Sequence, residues 1–299
     1  MTVKRRRVLR GMATASVTGL AATAGCLGGS GGTSDGEEDG AATGTEPQME
    51  STPTDQVAGD TSGQVPEPMV GAVEAYLTAL VNDDWEGMAA VSTGAAADYA
   101  GYLAGLQSSG TRLSQKELQV TQPPTSAEST TGGVILDGAW TVRYLPNTER
   151  TFATFTVVEQ TDGYLVSDFE RDGTPISAEV AGGDGDPVGK NDTTVSLQYV
   201  AWTGEGSTMI VILHIRNDRD TEIDLDPHYT TFTSAATEQA YSVDQAQGDE
   251  TPPGAESAAA AAFGDVTDAS QGGTLAVTLT EFPSLENWEL ELTVPALEG

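Results

Sequence analysis

Apolar residues recur at helical spacing in residues 66–107 and at strand spacing in most of the chain that follows. The first helix is predicted from a single apolar stripe that consists of Val73, Tyr76, Leu77, Leu80 and Val81. Pro66 and Pro68 stand near its start, where a missing N–H group costs least. A shorter helix is predicted after the acidic turn at residues 82–84, and a third over residues 95–107.

Alternating and β-branched runs follow over residues 116–173, and Asp162-Gly163 between two of them is typical of a β-hairpin turn. Helices followed by antiparallel strands predict an α+β domain over residues 66–177, with the helices on a curved antiparallel sheet. A Gly- and Asp-rich linker is predicted at residues 178–190. The short strands beyond it predict an all-β sandwich over residues 191–299.

The first 65 residues show neither pattern. Residues 1–25 combine a basic start, a short apolar run and small residues, which is the layout of a signal peptide. The apolar run is shorter than the roughly 20 residues that a membrane-spanning helix needs. Residues 26–65 are rich in Gly, Ser, Thr, Asp, Glu and Pro, and this composition predicts a disordered acidic tether.

The charge of the chain restricts its setting and its partners. The 299 residues include 13 Lys and Arg against 45 Asp and Glu, for a formal net charge of −32. Molar salt screens the self-repulsion of such a chain, so the composition favours a secreted protein of a salt-loving archaeon over an ordinary acidic protein with an acidic tail. Nucleic acid is excluded as a partner because a polyanion would be repelled.

Two short motifs in the first 26 residues carry specific resemblances. The sequence KRRRVLR resembles the twin-arginine export signal, with its positions at Arg5, Arg6, Val8 and Leu9. The sequence TAGC resembles a lipobox, with the cleavage-site residues Thr23, Ala24 and Gly25 before Cys26. The resemblance implies lipidation of Cys26 and an anchor in the cell membrane; the alternative is an incidental thiol. Cys26 is the sole cysteine, so no intramolecular disulfide is predicted.

Both predicted domains resemble known superfamilies. The run VEAYLTALVNDDWEGMAAVS and the later DGYLVSDFERDG resemble the nuclear transport factor 2-like superfamily, which has a cystatin-like cone. Residues 209–244 resemble the immunoglobulin-like domain of bacterial and archaeal lipoproteins, and Pro253-Gly254 fits its turn. Some members of the first superfamily are enzymes with an acid–base carboxylate or His in the cone, whereas the second resemblance implies an extracytoplasmic setting without catalytic residues.

Candidate chemistry in the two domains is sparse. Asp98 with Tyr99 and Tyr102 is the nearest approach to an acid–base group, and the alternative is a solvated Asp on a helix whose tyrosines pack on the sheet. His214 and His228 are the only histidines, and their spacing matches no standard zinc pattern. The acidic residues at positions 218–226 lack the spacing of an EF-hand. We therefore predict no catalytic residue, no cofactor and no metal.

These observations predict a lipid-anchored protein on the extracellular side of the cell membrane, built from non-catalytic modules that bind a small ligand or an extracellular protein. The sequence identifies no ligand-binding residues. One alternative is an enzyme acting through a carboxylate in the cone, which requires a buried acid facing an apolar cavity; an interior filled by Trp140, Tyr144 and Phe155 would argue against it. A second alternative is a structural spacer in the cell envelope.

Overall fold

The computed structural model describes residues 65–297, apart from residues 112, 146–147, 184–185, 204–207, 249 and 267–270. These described residues belong to one compact unit. Strands take up 55% of them, and helices take up 18%. The molecule is therefore mainly a β-structure, with its three α-helices near the start.

The helices form where the apolar spacing predicts them. Helix α1 (Glu67–Val81) buries the predicted stripe, since Val73, Tyr76, Leu77 and Leu80 are fully buried. Helix α2 (Trp85–Ala90) begins after Asp84, whose carboxylate accepts a hydrogen bond of 2.9 Å from the backbone N–H of Gly87. This contact satisfies one of the unpaired donors at the start of the helix. Helix α3 (Gly94–Ser108) buries Tyr99, Tyr102 and Leu103.

The first sheet, which we call sheet 1, is an antiparallel meander. Its strands are β1 (Lys116–Thr130), β2 (Gly133–Tyr144), β3 (Thr148–Gln160), β4 (Gly163–Arg171) and β5 (Thr174–Pro175). They lie side by side in chain order. Strands β3 and β4 are joined at the predicted hairpin, where Gln160 pairs with Gly163. Gly163 has a φ of 140°, which few other residues adopt.

The rest of the chain forms two more antiparallel sheets. After a 3₁₀ turn (Ile176–Ala178) its strands are β6 (Val180–Gly182), β7 (Val188–Lys190), β8 (Thr193–Thr203), β9 (Thr208–Asn217), β10 (Glu222–Leu225), β11 (Thr231–Ser234), β12 (Ala240–Ser242), β13 (Gln245–Gly248), β14 (Glu256–Phe263), β15 (Gly273–Phe282) and β16 (Asn287–Val294). Sheet 2 contains β6, β7, β8, β9, β13 and β14, and sheet 3 contains β10, β11, β12, β15 and β16.

Sheets 2 and 3 enclose one hydrophobic core. Side chains that alternate along β9 and β15 meet in it, including Val211, Leu213, Val277 and Leu279. The other face of sheet 2 is also buried: Ile212 and Ala260 belong to a second core that contains the helices and sheet 1. Strands β9 and β14 therefore bury side chains on both of their faces.

Helix α3 separates sheet 1 from sheet 2 and contacts both. It packs on β4 of sheet 1 and on β6, β8, β9 and β14 of sheet 2. Its two interior glycines face sheet 2. A Cβ atom on Gly105 would lie 2.6 Å from Cγ2 of Ile212, and one on Gly101 would overlap the ring of Tyr199. The absence of side chains at these positions lets the sheet approach the helix closely.

The fold class predicted from the sequence, an α+β cone followed by an immunoglobulin-like sandwich, is wrong. The described residues are mostly strand, in several antiparallel sheets, and no cone of helices on a curved sheet is present among them. The physical reason lies in α3. A cone needs helices that cover one sheet and leave their outer side to solvent, whereas sheet 2 covers the outer side of α3.

Candidate ligand-binding pocket

A pocket of about 350 Å³ lies between α3 and sheet 1. Helix α3 contributes four lining residues, the connection to β1 contributes two, and the strands of sheet 1 contribute five. They are Tyr99, Tyr102, Leu103, Leu106, Leu113, Ser114, Lys116, Tyr144, Thr148, Arg150 and Arg171. The volume is at the lower end of the range for small-molecule sites, roughly 300–1,000 Å³.

The antiparallel order of sheet 1 brings the strand residues of the pocket together. Lys116 begins β1, Tyr144 ends β2, Thr148 begins β3 and Arg171 ends β4. In an antiparallel meander the start of one strand lies beside the end of the next. Residues that are far apart in the sequence therefore meet at one end of the sheet.

Arg171 is fixed in place by two neighbours. Its guanidinium donates a hydrogen bond of 3.2 Å to the hydroxyl of Tyr99 and forms an ion pair with Glu179. The side chain is 21% exposed, so the guanidinium is held in a largely dry setting. Arginine suits such a position because it stays charged when buried and offers several N–H groups in a rigid plane.

Two tyrosines on the pocket wall stay protonated. Burial, reinforced by the neighbouring Tyr99, raises the pKa of Tyr102 and the pKa of Tyr144 well above the ordinary range. Arg171 opposes this rise in both residues without overcoming it. The pocket therefore presents neutral hydroxyl groups, each with one proton to donate.

Two further cations complete the wall. The ammonium of Lys116 forms an ion pair with Asp83 and lies 5.1 Å from the ring centre of Trp85. Its side chain is only 2% exposed. Arg150 is more open, at 41% exposed, and donates a hydrogen bond of 2.9 Å to Asp172.

The lining differs in charge from the rest of the molecule. Three cations and no Asp or Glu are among the lining residues that the structure describes. Asp83, Asp172 and Glu179, which neutralise the cations, are not part of the lining. In a chain with a formal charge of −32, this arrangement gives one small surface that lacks carboxylates.

Sequence reasoning named Tyr99 and Tyr102 but did not find the cations of the pocket. The signal in the sequence that could have indicated these cations is the small number of basic residues. Only 13 residues of the chain are basic, and five of these precede residue 11. Each remaining cation is therefore unusual, and Lys116, Arg150 and Arg171 stand near strand ends that a meander brings together.

Asp98 is not among the lining residues of the pocket, unlike the two tyrosines that the sequence grouped with it. Its carboxylate faces Gly182 of β6, on the side of α3 that contacts sheet 2. Burial raises the pKa of Asp98, and a hydrogen bond from the backbone of Gly182 opposes this rise. Because residues 98 and 99 point about 100° apart on a helix, Asp98 and the pocket residue Tyr99 face different layers.

The aromatic side chains beneath the pocket fill the space between helices and sheet 1. Trp140 and Phe155 are fully buried, and their rings meet edge to face with centres 5.0 Å apart. Phe169 stacks on Phe155 at 5.5 Å. Tyr144, which the sequence analysis grouped with Trp140 and Phe155, instead lines the pocket.

The polar candidates of the later strands lie apart from the pocket. Nε2 of His214 is 3.3 Å from a carboxylate oxygen of Glu256, and His228 is exposed. The acids of residues 218–226 serve separate contacts; Asp218 pairs with Arg216, and Asp226 accepts a hydrogen bond from the backbone N–H of His228. Within the described part of the chain, no group of three or more His, Cys, Asp and Glu residues is placed to hold a metal ion.

A second polar cluster is structural. Hydrogen bonds from Thr221, Ser284 and Arg219 lower the pKa of Glu281 to about 2. The guanidinium of Arg219 also lies 5.0 Å from the ring centre of Trp288. The side-chain amide of Asn217 lies near this cluster. It donates hydrogen bonds to the carbonyl oxygens of three residues, Thr221, Thr251 and Pro252, and so links the segment after β9 to the segment before β14.

A larger groove, of about 600 Å³, lies where α1 begins beside the two prolines of β1. Glu67 is the only charged residue of its described lining, and the others are Val65, Pro66, Val70, Pro123 and Pro124. The smaller pocket therefore holds the greater share of groups that can recognise a ligand.

Several predicted site residues lie outside the described part of the chain. They are the export-signal positions Arg5, Arg6, Val8 and Leu9, the cleavage-site residues Thr23, Ala24 and Gly25, and the lipidation site Cys26. Among the described helices, none has the length and apolar character needed to cross a membrane.

The chain matches no known protein family, and no curated protein is similar to it in sequence.

Proposed function

We propose that the chain is a non-catalytic, extracytoplasmic module that binds a small molecule in the pocket between α3 and sheet 1. The observation that carries this proposal is the composition of the pocket wall, which combines leucines, tyrosines and three cations around about 350 Å³. Mostly apolar walls with a few polar groups are typical of small-molecule sites.

The sequence supports the proposed location. The twin-arginine-like motif at residues 4–10 and the lipobox-like TAGC at residues 23–26 favour export and attachment to the membrane through a lipid on Cys26. The acidic, Lys-poor composition favours a salt-rich environment. In this proposal the tether of residues 27–65 holds the folded part at the outer face of the membrane.

A pocket-filling substitution tests ligand binding. Leu113→Trp adds bulk to the pocket lining, whereas the control Leu285→Trp adds the same bulk at a position that is 65% exposed and outside the pocket. Both variants and the wild type are screened by thermal shift against small apolar and amphipathic compounds in about 1 M salt, where the Debye length is about 3 Å. We expect compounds that stabilise the wild type and Leu285→Trp but not Leu113→Trp.

Two results would count against this proposal. If no compound distinguishes Leu113→Trp from Leu285→Trp, the pocket is not a ligand site and the structural-spacer alternative gains support. If a stabilising compound is chemically converted by the wild type, the non-catalytic part is wrong.

The membrane anchor is tested separately by Cys26→Ser. The wild type, expressed in a salt-loving archaeon, is expected in the membrane fraction, and the variant in the soluble fraction. Retention of Cys26→Ser with the membrane would disprove attachment through that residue.

A further inference from the structure

We propose that the ligand of the pocket is an amphipathic monoanion, that is, a carboxylate attached to a short apolar body. This inference rests on the proposed function, because it concerns the occupant of the same pocket. The supporting observation is that charged and apolar groups lie on different walls of the pocket.

The wall formed by sheet 1 is cationic. Lys116, Arg150 and Arg171 all come from its strands, and Tyr144 and Thr148 between them supply hydroxyl groups. The opposite wall carries no charge: α3 and the segment that follows it contribute Leu103, Leu106 and Leu113, beside the hydroxyl-bearing Tyr99, Tyr102 and Ser114. A molecule that fits both walls has a negative end and an apolar end.

The absence of carboxylates from the described lining is informative in this chain. Asp and Glu number 45 in the sequence, so a pocket wall taken at random would carry some of them. A wall with cations alone repels other cations and offers charge-assisted hydrogen bonds to anions. Arg150, at 41% exposed, is the cation most open to an incoming group.

The ion pairs behind the wall limit the charge of the ligand. Each of the three cations already faces at least one carboxylate, in the pairs Lys116–Asp83, Arg150–Asp172 and Arg171–Glu179. Because these pairs are already neutral, a dianion such as a phosphate monoester would leave more uncompensated negative charge in the pocket than a monocarboxylate does. A single carboxylate fits this balance better.

The experiment compares three probes with the same apolar chain: octanoate, octanol and octylammonium. Each is titrated by calorimetry into the full-length protein in about 1 M salt, which screens attraction between octylammonium and the acidic surface. Binding to the pocket is defined as the heat that Leu113→Trp abolishes and Leu285→Trp retains. We expect octanoate to bind the pocket about tenfold more tightly than octanol, and octylammonium not to bind it.

A matched pair of arginine variants tests the role of the cationic wall. Arg150→Gln removes a pocket cation, and Arg143→Gln removes an arginine of similar exposure, 39%, that pairs with Glu149 on the same sheet outside the pocket. We expect Arg150→Gln to weaken octanoate binding about tenfold and to leave octanol binding unchanged. Arg143→Gln should change neither.

The outcomes separate this inference from the proposed function. If octanol or octylammonium binds the pocket as tightly as octanoate, the anion class is wrong and the pocket is still a ligand site. If none of the three binds the pocket, the anion class is also wrong, and the wider compound screen decides the proposed function. Equal effects of Arg150→Gln and Arg143→Gln on octanoate would overturn the role given to the cationic wall.

Discussion

Replacing Gly105 with alanine tests whether α3 is packed on both sides. A Cβ atom at this position would lie 2.6 Å from Cγ2 of Ile212, a residue of sheet 2 that is 1% exposed. Carbon atoms in van der Waals contact lie about 3.5–4.0 Å apart, so either the helix or the sheet must move. Gly71 of α1 is the matched control, since a Cβ atom there has no neighbour within 4 Å.

Two opposing terms set the size of the effect. Alanine stabilises a helix interior by about 1 kcal/mol relative to glycine, and this gain applies at both positions. Insertion of a methyl group into a packed core costs about 1–3 kcal/mol, and this cost applies only at Gly105. We therefore expect Gly71→Ala to stabilise the protein by about 1 kcal/mol and Gly105→Ala to be neutral or to destabilise it by about 2 kcal/mol.

The assay is urea unfolding at constant salt, with the midpoint and the slope compared among the wild type and both variants. The difference in free energy of unfolding between the two variants cancels the helix term and isolates the packing cost, about 1–3 kcal/mol. Equal stabilisation by both substitutions would refute the packing of α3 against sheet 2.

Three further predictions concern the later strands. Because its pKa is lowered to about 2, ionised Glu281 contributes stability above its ordinary pKa, and this contribution is lost as the pH falls towards 2. Urea unfolding at pH 5 and pH 2.5 should therefore show a smaller loss for Glu281→Gln than for the wild type; an equal loss would contradict this prediction. Burial raises the pKa of Asp224 to about 6, so its contribution is most favourable at low pH and is lost as the pH rises through 6. Asp224→Asn should thus stabilise the protein at pH 7.5 by about 1 kcal/mol, after allowance for its partial exposure, and by less at pH 4; a constant difference would count against the shift. Asn217→Ala should reduce the free energy of unfolding by about 2–3 kcal/mol, since it removes several hydrogen bonds of a fully buried amide at about 1 kcal/mol each, whereas the exposed Asn82→Ala should cost under about 1 kcal/mol. Similar costs for the two asparagine variants would show that the amide of Asn217 is not needed.

The sequence indicated only part of the candidate site. Tyr99 and Tyr102 stood out as aromatic residues on a predicted helix, but they were grouped with Asp98, which faces another layer. The three residues are close in the sequence, but the sequence does not show that the carboxylate of Asp98 faces Gly182 of sheet 2. Arg150 and Arg171 could not be paired from the sequence, because their approach depends on how β3 and β4 align.

Strand β9 shows that the sequence also indicated only part of the fold. Its side chains alternate, so that Met209, Val211 and Leu213 lie on one face and Ile212 lies on the other. A period of two residues separates the faces of a strand, but it does not say whether the second face meets solvent or another layer. In β9 the second face meets α3.

By itself the sequence determined the local elements whose cause lies within a few residues. The apolar stripe of α1 and the Asp162-Gly163 hairpin follow from side-chain spacing and from backbone freedom at glycine. It also determined the acidic charge of the chain, which is a matter of counting.

Only the tertiary structure decided how the layers stack and where the few cations meet. Gly105 and Gly101 of α3 allow Ile212 and Tyr199 of sheet 2 to approach the helix closely. The contact depends on residues about 100 positions further along the chain, and it excludes the predicted cone. The pocket arises in the same way, because the ends of three strands, β1, β3 and β4, bring its cations together.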